Sequence, residues 1–316
     1  MSIRSSSAPP PPASGWAALP RDVLWSIFTA LGQREVLSGA GLVCAAWRDF
    51  ARREPVIWRR IDLTTPEDDV VEEDGSDDDE TNIIICKMEE VPSSKGSSRW
   101  KAMTLTAIDR SAGQCEAFWG RADDEVLLHL ADRFFSLLNE SFLFYIDNSR
   151  RASSMKSLRV TSYSYDVSSK VFAQVIKKFP LLEELELVLK PQQPSTNSWA
   201  ELFQSTCEAC IHLHHFKVRC ARSERHHLDE ERSSTTFSIP IMHGLRSLEL
   251  CGGSFTKNVV MKIVDKCPSL ESLNITNLPI NRWDDQMRYK CYKIKDVRLP
   301  SKCYAYDSDD DMDDMS

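Results

Sequence analysis

The chain has 316 residues, 42% of them hydrophobic, enough for about two cored domains at roughly 150 residues each. It holds no run of about 18 apolar residues, which excludes a membrane-crossing helix, and its ten cysteines without a secretory leader point to free thiols in a reducing compartment. The formal charge of -8 is concentrated in two blocks: residues 67–80 hold ten acids and no base, residues 307–314 hold six acids and no base, and the remainder carries +8.

The first fourteen residues combine Ser, Pro and Ala and lack an apolar h-region, so 1–14 reads as a disordered N-terminus, not a secretory signal. From Leu19 to Ile61 apolar residues recur at helical spacing, first Val23, Leu24, Ile27, Phe28 and Leu31, then Leu42, Val43, Ala46, Trp47 and Phe50. Pro20 suits a first helical turn, where its missing N–H costs nothing. Two or three helices in so short a segment bury too little surface to stand alone, so a partner surface is expected. The segment resembles an F-box: Leu19-Pro20, Asp22 two residues on, Val43-Cys44 with Trp47-Arg48, then Trp58 and Ile61. The resemblance implies an F-box over 15–64 that docks on the Skp-family adaptor of a cullin-RING ubiquitin ligase. The residues it implies for that contact are Leu19, Pro20, Val23, Leu24, Ile27, Leu31, Val43 and Trp47. Core and interface are evenly matched as roles for any one of Val23, Ile27, Val43 and Trp47, because so small a domain shares both. Gly39-Ala40-Gly41 departs from the polar or Arg-bearing stretch usual in the family, and its flexibility is expected to weaken the adaptor contact.

Residues 65–99 carry the first acidic block and read as an acidic disordered linker. Residues 100–120 then read as a helix and a strand, and 121–146 as a long or broken helix. Further on, a frame x-x-x-L-x-x-L-x-L, with L any apolar residue, recurs from starts at 152, 179, 210, 242, 267 and 291. The shorter spacings fall in the leucine-rich-repeat range and the longer ones carry loop insertions. Stripes at helical spacing lie between the frames: Val171, Phe172, Val175, Ile176 and Phe179; Trp199, Leu202, Phe203, Thr206 and Cys210; Val259, Val260, Ile263, Val264 and Cys267. Asp166, Thr256 and Asn281 are suited to cap these helices. Each unit is a strand plus a helix, and such units must stack to bury their apolar faces. The pattern resembles the cysteine-containing leucine-rich repeats that follow F-boxes in plant F-box/LRR proteins, over residues 15–65 and 100–300. The expected fold is α/β: a small all-helical F-box, then a curved leucine-rich-repeat solenoid over 100–304 with parallel strands on the concave face and helices outside. An acidic disordered tail at 305–316 closes the chain.

Catalytic constellations are missing. The sequence has no phosphate-binding glycine loop and no Gly-x-Ser-x-Gly turn, and its acids single out no pair. Cys207-x-x-Cys210 with His212, His214, His215, Cys220, His226 and His227 has zinc-like ingredients. The repeat frame argues otherwise: Cys210 stands where Cys267 and Cys291 stand, at the end of a repeat helix, as a small buried residue. No metal and no cofactor is expected.

The concave face is the candidate binding surface. In each frame the residue between the last two apolar positions projects there, giving Arg159, Glu186, Lys217, Glu249, Asn274 and Arg298; a neighbouring column reads Ser157, Glu184, His215, Ser247, Ser272 and Asp296. The charges alternate in sign, which suits either a self-paired ladder or a groove for a mixed-charge segment. Arg219, Arg222 and Arg225 make a basic patch, but the acidic blocks repel phosphates, so nucleic acid is not an expected partner. Together the resemblances imply a non-catalytic substrate-recognition subunit of an SCF-type ligase in the cytoplasm or nucleus. Its partners would be the Skp-family adaptor, through it the cullin and RING subunits, and a protein substrate held by the repeats. The rival class is a non-ligase scaffold with a degenerate F-box.

Overall fold

The computed structural model describes residues 15–65, 94–140, 155–162, 167–189, 198–220, 237–251, 255–278 and 285–299. The readings placed on 1–14, on most of the acidic linker, on the tail at 305–316 and on the caps Asp166 and Asn281 lie outside the described residues.

Three short helices open the fold: α1 (Arg21–Ala30), α2 (Gln33–Ser38) and α3 (Ala45–Arg53). Pro20 sits at the N-cap of α1, just ahead of the first turn. The inward stripe of α1, Leu24 and Phe28, meets Val36, Trp47, Phe50 and Ala51, all buried. Phe28 lies edge-on to Trp47 at 5.6 Å and to Phe50 at 5.3 Å, the preferred geometry for aromatic quadrupoles. Between α2 and α3 the chain makes a 3-10 turn over Ala40–Leu42. Gly41 is buried there, and a Cβ on it would stand 2.7 Å from the Val36 carbonyl oxygen. The Gly39-Ala40-Gly41 stretch is therefore a close backbone approach, with Ala40 also buried.

Among the described residues, eight parallel strands follow in sequence order as one sheet: β1 (Arg60–Asp62), β2 (Ala117–Arg121), β3 (Ser157–Ser162), β4 (Glu184–Leu189), β5 (His215–Cys220), β6 (Ser247–Cys251), β7 (Ser272–Asn277) and β8 (Asp296–Arg298). The crossovers are helical where parallel strands require them: α4 (Ser94–Arg110) precedes β2, and α5 (Asp124–Glu140), α6 (Ser169–Ile176), α7 (Ser198–Ala209), α8 (Lys257–Asp265) and α9 (Asp285–Cys291) run between later strands. Between β5 and β6 the described stretch 237–246 is non-helical and buries Phe237, Ile239, Met242 and Leu245 instead. This succession is a leucine-rich-repeat solenoid.

The repeat frame sets the register. Phe118, Leu158, Leu185, Phe216, Leu248 and Leu273 pair strand to strand in one row and are all buried against the helices. Full burial of such a side chain is worth about 1.5–3 kcal/mol, against about 0.2–1 kcal/mol for a cross-strand charge pair. The inward row therefore holds the sheet together. The frame cysteines Cys210, Cys267 and Cys291 are buried and form no disulfide, as is the case for Cys115, whose thiol donates to the Ala117 carbonyl at 3.2 Å.

Three differences from the sequence reading have local causes. Strand β1 belongs to the sheet although it lies within the segment read as all-helical: Ile61 pairs with Phe118, and Leu63 N–H donates to the Trp119 carbonyl at 2.8 Å. Helix α4 begins at Ser94, inside the segment read as linker. The cap of α6 is Ser168, whose hydroxyl accepts from the Val171 N–H at 3.3 Å; Thr256 does stand at the N-cap of α8 but makes no side-chain cap bond.

Candidate protein-binding surfaces

Two surfaces stand out, one at each end of the logic set by the fold. The first is on the helical N-terminal part. Of the residues expected at the adaptor contact, Val43 is 53% exposed, Val23 38%, and Pro20 is also exposed, while Leu19, Ile27 and Leu31 are half-buried at the edge of the core. Leu24 and Trp47 are each only 6% exposed. They belong to the domain's own core: Leu24 packs inward, and the Trp47 indole N–H donates to the Trp16 carbonyl at 2.8 Å, with the two rings edge-on at 6.0 Å. Leu42, which the periodicity included but the expected contact did not, is exposed as well, as are Val56 and Trp16. Along α1 the positions Pro20, Val23, Ile27 and Leu31 follow helical spacing, so they form an apolar stripe beside the buried pair Leu24 and Phe28.

This part is not a loosely tethered module. Trp58 is fully buried, its indole N–H bonded to the Ala51 carbonyl at 2.8 Å and its ring covered by the Arg110 guanidinium of α4 at 5.1 Å. Arg110 has its pKa lowered by burial and, secondly, by the charge of Arg52. Gln33 of α2 donates its amide to the carbonyls of Ile57 at 3.0 Å and Arg60 at 2.8 Å, and the Asp62 N–H reaches its Oε1 at 3.4 Å. It thereby occupies backbone groups on the open side of the edge strand β1. Trp58, Ile61, Ala107, Ile108 and Phe118 fall in one continuous core with the rest of the sheet.

The second surface is the open face of the sheet, opposite the helices. A cavity of about 330 Å³ spans β2 to β6, lined by Trp119, Ser157, Arg159, Glu184, Glu186, His215, Lys217, Ser247 and Glu249, among others. The predicted column divides there. Arg159, Glu186, Lys217 and Glu249 stand side by side in register and all line the cavity. Arg159 pairs with Glu186 at 3.5 Å, and Lys217 with Glu186 at 3.1 Å and Glu249 at 3.9 Å. Arg219, read in the sequence as part of a basic patch and not of this column, closes the ladder on Glu249 at 2.9 Å. Asn274 and Arg298 continue the register but lie outside the cavity. Asn274 Oδ1 accepts from the Thr276 N–H and hydroxyl, and Arg298 turns to Asp296 on its own strand. Trp119, in register with Arg159, is the residue the sequence reading missed. Its signal was available: with Cys115 and Phe118 at apolar positions and Gly120 in the last, the repeat frame extends back to a start at 112, whose projecting position is Trp119. Its indole N–H donates to the Ser157 hydroxyl at 2.8 Å, and that hydroxyl donates to Glu184 at 3.0 Å.

The cysteine–histidine cluster does not converge. Cys207 and Cys210 are buried in the helix-side core, and burial pushes the Cys207 thiol up and that of Cys210 to about 12. The Cys210 thiol lies 3.5 Å from the Phe179 carbonyl, while His215 faces the opposite, open side. His226 and His227 lie outside the described residues. Among the described residues no group of three or more His, Cys, Asp or Glu is placed to hold a metal, and no helix is long and apolar enough to cross a membrane.

Residues 16–64 match the F-box-like family. The chain is 28% identical to F-box/LRR-repeat protein 22 of Arabidopsis thaliana over 293 residues, 91% of this chain and 78% of that protein. It is 26% identical to F-box/LRR-repeat protein 23 of the same plant over 302 residues, 93% of this chain and 54% of that protein. It is 27% identical to the Arabidopsis F-box protein SKIP19 over 307 residues, 95% of this chain and 83% of that protein. The similarity therefore runs through both the helical part and the sheet.

Proposed function

We propose that this chain, in which an F-box-like domain heads a leucine-rich-repeat solenoid, is a substrate receptor of an SCF-type cullin-RING ubiquitin ligase. The apolar stripe of Pro20, Val23, Ile27 and Leu31, with Val43, takes the Skp-family adaptor, which links to cullin and RING subunits. The groove on the open face takes the protein to be ubiquitinated. The chain contributes no chemistry: it raises the effective concentration of a substrate lysine near a charged conjugating enzyme held elsewhere in the complex. The observation that best supports this reading is the join between the two surfaces. Strand β1 pairs with β2, and Trp58 and Gln33 lock the helices to the sheet. A proximity device needs a fixed orientation between its docking end and its cargo, because effective concentration falls when the connection is slack.

The test is ubiquitin transfer in a purified system of adaptor, cullin, RING subunit, activating enzyme and conjugating enzyme. A receptor held in the complex presents its own lysines, so the chain is expected to acquire ubiquitin only when the adaptor is present. Transfer independent of the adaptor, or none at all, would favour the scaffold reading instead.

A further inference from the structure

The geometry points to a specificity element within the groove: Glu184 receives a basic side chain, lysine or arginine, from an extended segment of the bound protein. This rests on the reading of the open face as the substrate groove. The cavity is lined by three carboxylates, Glu184, Glu186 and Glu249, against two cations, Arg159 and Lys217. Two of the carboxylates are engaged. Glu186 takes Arg159 and Lys217; Glu249 takes Lys217 and, from just outside the lining, Arg219. Glu184 stands in register with His215 and, among the described residues, is ion-paired to no lysine or arginine. Its partner is the Ser157 hydroxyl, which also accepts from the Trp119 indole. Because an indole can only donate, the chain of bonds has one direction, and it ends by orienting the Glu184 carboxylate.

The surroundings fit one kind of guest. Glu184 is exposed, so an incoming cation reaches it without displacing a protein partner. The Trp119 ring, close by on the far side of Ser157, already carries the Arg60 guanidinium at 5.4 Å from its centroid, so this wall suits cations. A long aliphatic stem can lie along the aromatic wall while its charged head reaches the carboxylate. An acidic guest would have to compete with Glu186 and Glu249 for Arg159 and Lys217, which are already paired.

A nine-residue peptide library tests this, with each amino acid fixed in turn at the centre and mixed residues around it. It is offered to the immobilised full chain as wild type, Glu184→Gln and Ser247→Trp, each first checked for an unchanged thermal melt. The wild type is expected to retain Lys- and Arg-centred peptides about fivefold over Glu-centred ones, the upper scale of a solvent-exposed charge pair. Glu184→Gln should flatten that preference while retention continues, and Ser247→Trp, which fills the groove, should abolish retention. A basic preference that survives Glu184→Gln overturns the assignment, as does no preference or no retention by the wild type. If retention is lost in Ser247→Trp but the wild type shows no basic preference, the groove stands and the subsite falls. If Ser247→Trp retains peptides as before, the groove reading itself fails.

Discussion

Single residues in the helical part carry more than their composition suggests. Gly39-Ala40-Gly41 reads in sequence as a flexible patch. In the structure Gly41 is a packing requirement, with the Val36 carbonyl 2.7 Å from where its Cβ would be. That atom is backbone and cannot swing aside. Gly41→Val is therefore expected to lower stability by about 1–3 kcal/mol, the cost of overpacking, read as a lower denaturant midpoint; an unchanged midpoint would mean the turn is slack after all. Leu24 and Trp47 illustrate the opposite limit of sequence reasoning. Periodicity identifies them as apolar and inward on a short helix, but in a domain this small an apolar stripe serves core and interface alike. Only the three-dimensional neighbours, Phe28 and Trp16, assign Trp47 to the core.

At the scale of elements, the repeat frame made most of the sheet legible. A strand buried on one face must alternate, and the frame is that alternation followed by a helix stripe. Strand β1 obeys the same frame, with Trp58, Ile61 and Leu63 at the apolar positions, but the acidic block separates it from the next frame at 112, so a search by spacing passes over it. The helix read within 100–120 is α4, but its start at Ser94 is hidden for a different reason. Four of its first five residues, Ser94, Gly96, Ser97 and Ser98, are weak helix formers, and the inward residues Thr104, Ala107 and Ile108 further along anchor it. Strand β1 also exposes an edge, which proteins commonly cover. Gln33 performs that role here. Gln33→Leu should cost up to about 1 kcal/mol, since water replaces part of each lost bond, and should speed hydrogen exchange at the amides of 60–63. Equal exchange in both proteins would show that Gln33 does not protect the edge.

The described residues form a solenoid whose first strand is supplied by the helical N-terminal part. On the proposed function, that join holds the adaptor contact and the groove of the open face in one oriented body, and the adaptor contact is the claim on which the rest of the proposal depends. The most direct measurement is a calorimetric titration of a purified Skp-family adaptor into the full chain, wild type beside Val43→Glu. Val43 is the position to change because it is 53% exposed and its replacement leaves the core intact, whereas Leu24 or Trp47 would unfold it. Saturable one-to-one binding by the wild type, lost in Val43→Glu with the thermal melt unchanged, is the predicted result. Equal binding by both proteins, or none by the wild type, would contradict it.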